Sequence, residues 1–177
     1  AGSVPSGTVF STAETNLFEQ MVTTNVNRNV FRLFAQQWTE TTYTDESNYD
    51  VTTRKIPDQV WSRMYIGILN NLKEAKALVT AETPIGASET AAKANKLLVI
   101  ELLNIYSYQV LVDTFGDIPY TQALDPANVN PKYDDAKTIY LDLVKRINAA
   151  TSAINTSEGS FGDADLVYGG DMTKWKK

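Results

Sequence analysis

The run KLLVIELLNIYSYQVLVDTF, from Lys96 to Phe115, is apolar on nearly every side, and it constrains the fold more than any other segment. Its length approaches the ~20 residues of a membrane span, yet it carries Glu101, Asn104, Gln109 and Asp113. Uncompensated polar groups in lipid are costly, so the run reads as the core helix of a bundle and not as a transmembrane one. A helix with no polar face has to be covered on several sides. The rest of the chain must therefore supply its neighbours.

Pro57 suits the first turn of a helix, and Trp61, Tyr65, Ile68, Leu72, Ala75 and Val79 follow at alternating steps of four and three. This stripe predicts a helix ending near Thr80. Pro84 and Gly86 mark a turn, Ser88 is a candidate N-cap for the core helix, and the short AETPIGA link makes residues 57 to 80 and 88 to 115 an antiparallel hairpin. In FGDIPY, residues 115 to 120, Gly116 can take the left-handed conformation that closes a helix. Pro119 prevents it from resuming and pushes Ile118 towards extended geometry. Asp117 is expected to bond turn amides, and Tyr120 to offer its ring to the next packing layer. Asp134 is the expected cap of a further helix with its stripe at Ala136, Tyr140, Leu143, Ile147, Ala150 and Ile154. Upstream, Ser11 and Glu14 form a capping box ahead of Leu17, Phe18 and Met21, and Val26, Val30, Phe34 and Trp38 place a second stripe on one helix face. Strand signals are weak throughout. The fold class expected is all-α, an array of antiparallel helix pairs with long irregular loops.

The residue inventory removes several function classes. Sixteen basic residues against 21 acidic ones, net −5, with no basic run beside the aromatics, exclude a nucleic-acid footprint. There is no cysteine and no histidine, so thiolate nucleophiles, Ser-His-Asp and Cys-His arrangements and the two-His metalloprotease motif cannot be assembled within the chain. Carboxylates, Lys and Tyr remain, but no spacing marks out a glycosidase-type pair. No enzyme activity and no cofactor is expected. Asp163, Asp165 and Asp171 do not fit the calcium-loop spacing and read as a solvated turn. Ala1 to Phe10 has neither the basic start nor the apolar stretch of a signal peptide. In residues 157 to 177, a glycine-rich turn leads to Asp171 as an N-cap, with Met172 and Trp175 opening a further helix. A tryptophan-bearing helix start at this point predicts one helical domain, 1 to 177, that is the amino-terminal part of a larger fold continuing beyond Lys177.

FGDIPY at 115 to 120, PKYDDAKTIYLDLVKRINAA at 131 to 150 and DLVYGGDMTKWKK at 165 to 177, in that order and spacing, resemble the SusD/RagB-like family. NVFRLFAQQWTETTYTDESNYD, residues 29 to 50, is similar to that family's amino-terminal region, particularly its second branch. The resemblance implies tetratricopeptide-like helix pairs and an outer-membrane, cell-surface lipoprotein. Such a protein captures glycans or peptides and sits as a lid on a SusC-like TonB-dependent transporter. The lipid-bearing cysteine is absent from this sequence, so the anchor is implied by the resemblance alone. An alternative that rests on the hairpin pattern is a helical-repeat scaffold that binds another protein and no small ligand.

A glycan site needs aromatic platforms for the flat apolar faces of sugars, with amide and carboxylate groups for their hydroxyls. Residues 39 to 55, TETTYTDESNYDVTTRK, form a polar stretch with no helical period, longer than a compact domain usually leaves without a reason. In and beside it Trp38, Tyr43, Asp45, Asn48, Tyr49 and Arg54 bring the required mixture together. These are the candidate ligand-binding residues. Trp38 and Trp61 also continue apolar stripes, which favours core packing for both.

Overall fold

Tyr65, Ile68, Leu72, Ala75 and Val79 are buried and Trp61 is half-buried, so the spacing of the first hairpin arm does point one face inward. The computed structural model describes residues 4–26 and 28–177; the first three residues of the Ala1 to Phe10 segment lie outside the described residues. Along the chain come α1 (Ser6–Val22), α2 (Phe31–Phe34), a 3-10 turn (Glu46–Asn48) and α3 (Ile56–Ser62). A π-helical segment (Arg63–Leu69) then runs into α4 (Asn70–Ala81). After these come α5 (Gly86–Phe115), α6 (Ala136–Ala153), a 3-10 turn (Gly162–Ala164) and α7 (Met172–Trp175). The fold is all-α with packed antiparallel helix pairs. Among the described residues the sole extended pairing is an isolated antiparallel bridge between Ile118 and Asp134.

The apolar run becomes α5 and sits between α4 and α6, while α1 covers α4 and the π segment. Val99, Ile100, Leu103, Ile105, Leu111 and Val112 of α5 are all buried. Each such side chain contributes about 1.5–3 kcal/mol by leaving water. Two of the polar residues of the run, Glu101 and Asn104, have side-chain partners. Arg146 of α6 donates from Nε to Glu101 Oε1 at 2.6 Å and from Nη2 to Asn104 Oδ1 at 2.8 Å. That seam also alters the face of α6. Ile139, Leu143, Ala150 and Ile154 are buried, whereas Tyr140 and Ile147, expected in the core, are exposed with Leu141 and Val144.

Local hydrogen bonds overturn four sequence expectations. Helix α1 begins at Ser6, so Ser11 and Glu14 lie within it: the Ser11 hydroxyl donates to Gly7 O at 3.0 Å and Glu14 is buried. The stripe expected from 26 to 38 is not one helix: among the described residues there, only Phe31–Phe34 is helical. There Gln20 donates to Arg28 O, Asn29 to Met21 O and Arg32 to Thr23 O, so side chains hold the backbone in turns that compete with a helix. Ser88 does not cap α5, since its hydroxyl donates to Glu158 and the free Ile85 N–H is taken by Glu89 Oε2 at 2.7 Å. The cap of α6 is Asp135, which accepts from Thr138 N at 2.8 Å, and not Asp134.

Asp134 instead accepts from the amides of Tyr120 and Thr121, at 3.2 and 2.7 Å, and so fixes the FGDIPY turn. Burial acts to raise its carboxyl, but the Thr121 amide, Lys132 and the Thr121 hydroxyl together hold it down at about 2. Gly116 ends α5 at φ 76° and ψ −119°, a conformation closed to side-chain-bearing residues without strain. Asp117, expected to bond turn amides, instead accepts through Oδ1 from Ala136 N, the first amide of α6, at 2.9 Å. Tyr120 packs edge-on against Tyr108 at 4.8 Å and donates its hydroxyl to Asp142. Asp171 caps α7 through the amides of Thr173 and Lys174. Asp165, expected in a solvated turn, is buried; it accepts from the amides of Val167, Tyr168 and Gly170 and from the Trp175 indole.

Candidate ligand-binding loop

Residues 39 to 55 close upon one cation. The Arg54 guanidinium meets the fully buried Glu46 carboxylate, stands 3.4 Å from Asp45 and 3.8 Å from Glu40, and donates to the Tyr43 carbonyl at 2.7 Å. One cation thus serves three carboxylates. Burial first, and then the neighbouring Glu46 carboxylate, pushes the Glu40 carboxyl above its usual range. The loop is tied further by Glu40 N donating to the Ser47 hydroxyl at 2.9 Å, and by Asp50, which accepts from the amides and hydroxyls of Thr52 and Thr53. Those four bonds hold the Asp50 carboxyl well below the usual carboxylate range.

Gln36, Tyr43, Tyr49 and Lys55 have φ of 56°, 59°, 64° and 51°. Left-handed backbone is costly for residues with a Cβ and persists where surrounding contacts over-determine it. Here the Arg54 hub and the threonine ties supply those contacts. The strained positions throw the rings outward: Tyr43 is 75% exposed and Tyr49 54% exposed.

The six predicted site residues thus divide into two groups. Trp38, Tyr43 and Tyr49 present ring surface. Trp38 is 45% exposed and off any helix, so its expected core position is corrected; the Arg32 guanidinium lies 4.9 Å from its ring centre. Tyr49 leans on Phe34 at 5.5 Å, accepts from Gln36 at 3.1 Å and donates to Phe34 O at 3.3 Å. Asp45, Asn48 and Arg54 are instead engaged within the loop, Asn48 by donating to Thr44 O at 3.0 Å. Sequence reasoning missed Glu46, Arg32, Phe34 and Gln36. An acidic residue in a polar loop gives no sign that it will be buried; Phe34 was assigned to the stripe of a helix that does not form as expected, and Arg32 and Gln36 lie in that same segment off the stripe.

Chemically the loop is a display of aromatic faces beside a largely buried charge cluster centred on Arg54, suited to stacking against a ligand. None of the curated proteins compared with the chain matches it. Over residues 2–177, however, the chain matches the SusD-like_2 family model, described as "Starch-binding associating with outer membrane", and it belongs to that non-catalytic binding family.

Proposed function

We propose that this chain binds glycans, or oligopeptides, without chemical change at the bacterial cell surface and passes them to a SusC-like TonB-dependent outer-membrane transporter. The family match over residues 2–177 carries the proposal, and the exposure of the Trp38, Tyr43 and Tyr49 rings supports the loop as its site. Ring faces would stack on pyranose C–H surfaces, while the Arg54 cluster keeps the rings in place. Membrane attachment would come through a lipid anchor borne by sequence other than this chain.

Affinity electrophoresis of the full-length protein through gels containing soluble starch and other neutral polysaccharides tests the reading. Retardation with an unchanged polymer supports it; release of shortened sugars by the purified protein overturns it. The protein-scaffold alternative is favoured by one observation, the exposed stripe of Tyr140, Leu141, Val144 and Ile147 on α6. Pull-down of a TonB-dependent barrel that survives substitution of Tyr43 and Tyr49 but not of Leu141 and Val144 would assign that stripe to the partner and leave the loop to the ligand.

A further inference from the structure

The loop is not the chain's only aromatic display. Trp61 of α3 and Tyr133 stack with ring centres 6.1 Å apart and planes 25° apart, and Phe115 meets Trp61 edge-on at 5.1 Å. The pair forms the common wall of two clefts. One, of about 410 Å³, is completed by Tyr65, Pro119, Leu124, Val129 and Pro131 with Asn130. The other, of about 500 Å³, is completed by Pro57, Asp58, Ser62 and Phe115. Both volumes fall within the range of small-molecule sites. Tyr133 is 64% exposed although its ring has an aromatic partner.

Hydrogen-bonding capacity separates this groove from the loop. Arg54, Asn48 and the Tyr49 hydroxyl are all engaged by the protein. Around the groove, among the described residues, the Trp61 indole N–H, the Tyr133 and Ser62 hydroxyls, the Asp58 carboxylate and the Asn130 amide make no side-chain hydrogen bond. Unspent donors and acceptors at the rim of an aromatic wall are what a polyhydroxylated ligand requires. An apolar peptide would leave them unused.

Two backbone features mark the same place. The helix passes from α3 into π geometry at Arg63–Leu69, just after Trp61, and Tyr65 within that segment lies with its ring centre 4.8 Å from the indole. Such segments are rare and recur at functional sites. Leu124, in the wall of the first cleft, has φ 60°, and its carbonyl accepts from the Lys73 ammonium. It is the one non-glycine residue of positive φ outside residues 36 to 55 among the described residues.

We propose that the Trp61–Tyr133 groove is a second carbohydrate-binding surface. It would take the unsubstituted C–H face of a neutral pyranose chain on the two rings, with its hydroxyls on Asp58, Ser62 and Asn130. The inference rests on the glycan reading above. Its test is calorimetric titration of the full-length protein with soluble starch and with neutral α- and β-linked oligosaccharides, comparing wild type, Tyr133→Ala, Asp58→Asn and the Tyr43→Ala/Tyr49→Ala pair. Circular dichroism and thermal melts establish that each variant is folded. Asp58 and Tyr133 are exposed, so Asp58→Asn keeps the test open should Tyr133→Ala loosen the Trp61 packing.

The expected result is that Tyr133→Ala and Asp58→Asn each weaken binding, the former about tenfold, and that the loop pair retains residual binding which Tyr133→Ala removes. Binding lost in the loop pair and unchanged in both groove variants overturns this inference and leaves the loop reading standing. A wild type that binds none of these sugars overturns both.

Discussion

The Tyr65 hydroxyl donates to the Pro119 carbonyl at 2.6 Å, bridging two residues far apart in the chain. Tyr65 lies in the π segment and Pro119 in the FGDIPY turn, and both are buried. The bond ties the first hairpin to the turn that leads into α6. Burial pushes the Tyr65 phenol far above its ordinary range, so it remains a donor at every physiological pH. Tyr65→Phe leaves the buried carbonyl without a partner and should cost about 1–3 kcal/mol, read as a lower denaturation midpoint with an unchanged slope.

Gly116 gives a second stability test, because its φ of 76° with ψ of −119° lies outside the regions open to other residues. An added Cβ would meet nothing within 4 Å, so a penalty at this position is conformational and not steric. Gly116→Ala should therefore lower stability by about 1–3 kcal/mol, and Gly116→Asn by less, since Asn tolerates positive φ better. Equal losses in thermal melts of the two variants would contradict this account.

The pH dependence of stability centres on Glu14. Burial, with a smaller contribution from the facing Asp165 carboxylate, pushes its carboxyl up from 4.5 to about 7, against the lowering effect of the Leu166 amide. The folded state therefore holds a proton that the unfolded chain releases near 4.5. By linkage, this group's contribution is present at low pH, falls as pH rises from about 4.5 to about 7, and is level above that. Glu14→Gln keeps the shape and should flatten this part of the profile, leaving the variant more stable than wild type at pH 8, by on the order of 2 kcal/mol. Denaturant titrations across the range check it, and a wild-type profile unchanged by the substitution would sink it.

What could be read from the sequence and what could not follows from the reach of each signal. Periodicity found the first hairpin, because Tyr65, Ile68, Leu72 and Val79 report one face over several turns. The glycine and proline of FGDIPY placed the end of α5 because their constraints are local and stereochemical. Caps were misassigned at Ser11, Ser88 and Asp134, since a short polar side chain beside a helix start has several amides within reach and only tertiary packing selects one. Asp134 and Asp135 differ by a single position, yet one serves the turn and the other the helix. At the loop, the exposed tyrosines were legible from composition. The Arg54–Glu46 pair was not, nor was the Trp61–Tyr133 groove, which joins residues 72 positions apart (133 − 61).

The loop's two groups of residues should separate experimentally. Replacing Tyr43 and Tyr49 together by Ala in the full-length protein removes two largely exposed ring faces that stand outside the buried core, with the local Tyr49 contacts to Phe34 and Gln36. Binding of the cognate glycan should weaken by about 1–3 kcal/mol with the melting temperature nearly unchanged. Arg54→Met acts differently. It strands the buried Glu46 carboxylate beside Glu40 and Asp45 with no cation among them, a loss that costs about 3–5 kcal/mol when a buried pair is broken. That substitution should loosen the whole 39 to 55 segment, lowering thermal stability and exposing its amides to hydrogen exchange. Ligand affinity would fall with it, because the left-handed turns at Tyr43 and Tyr49 lose the contacts that hold them. Combining Arg54→Met with a Glu46→Gln replacement relieves the stranded charge and should restore much of the stability without restoring the loop's order. If the combined variant regains full affinity, the arginine positions nothing, and the rings reach the ligand without the hub.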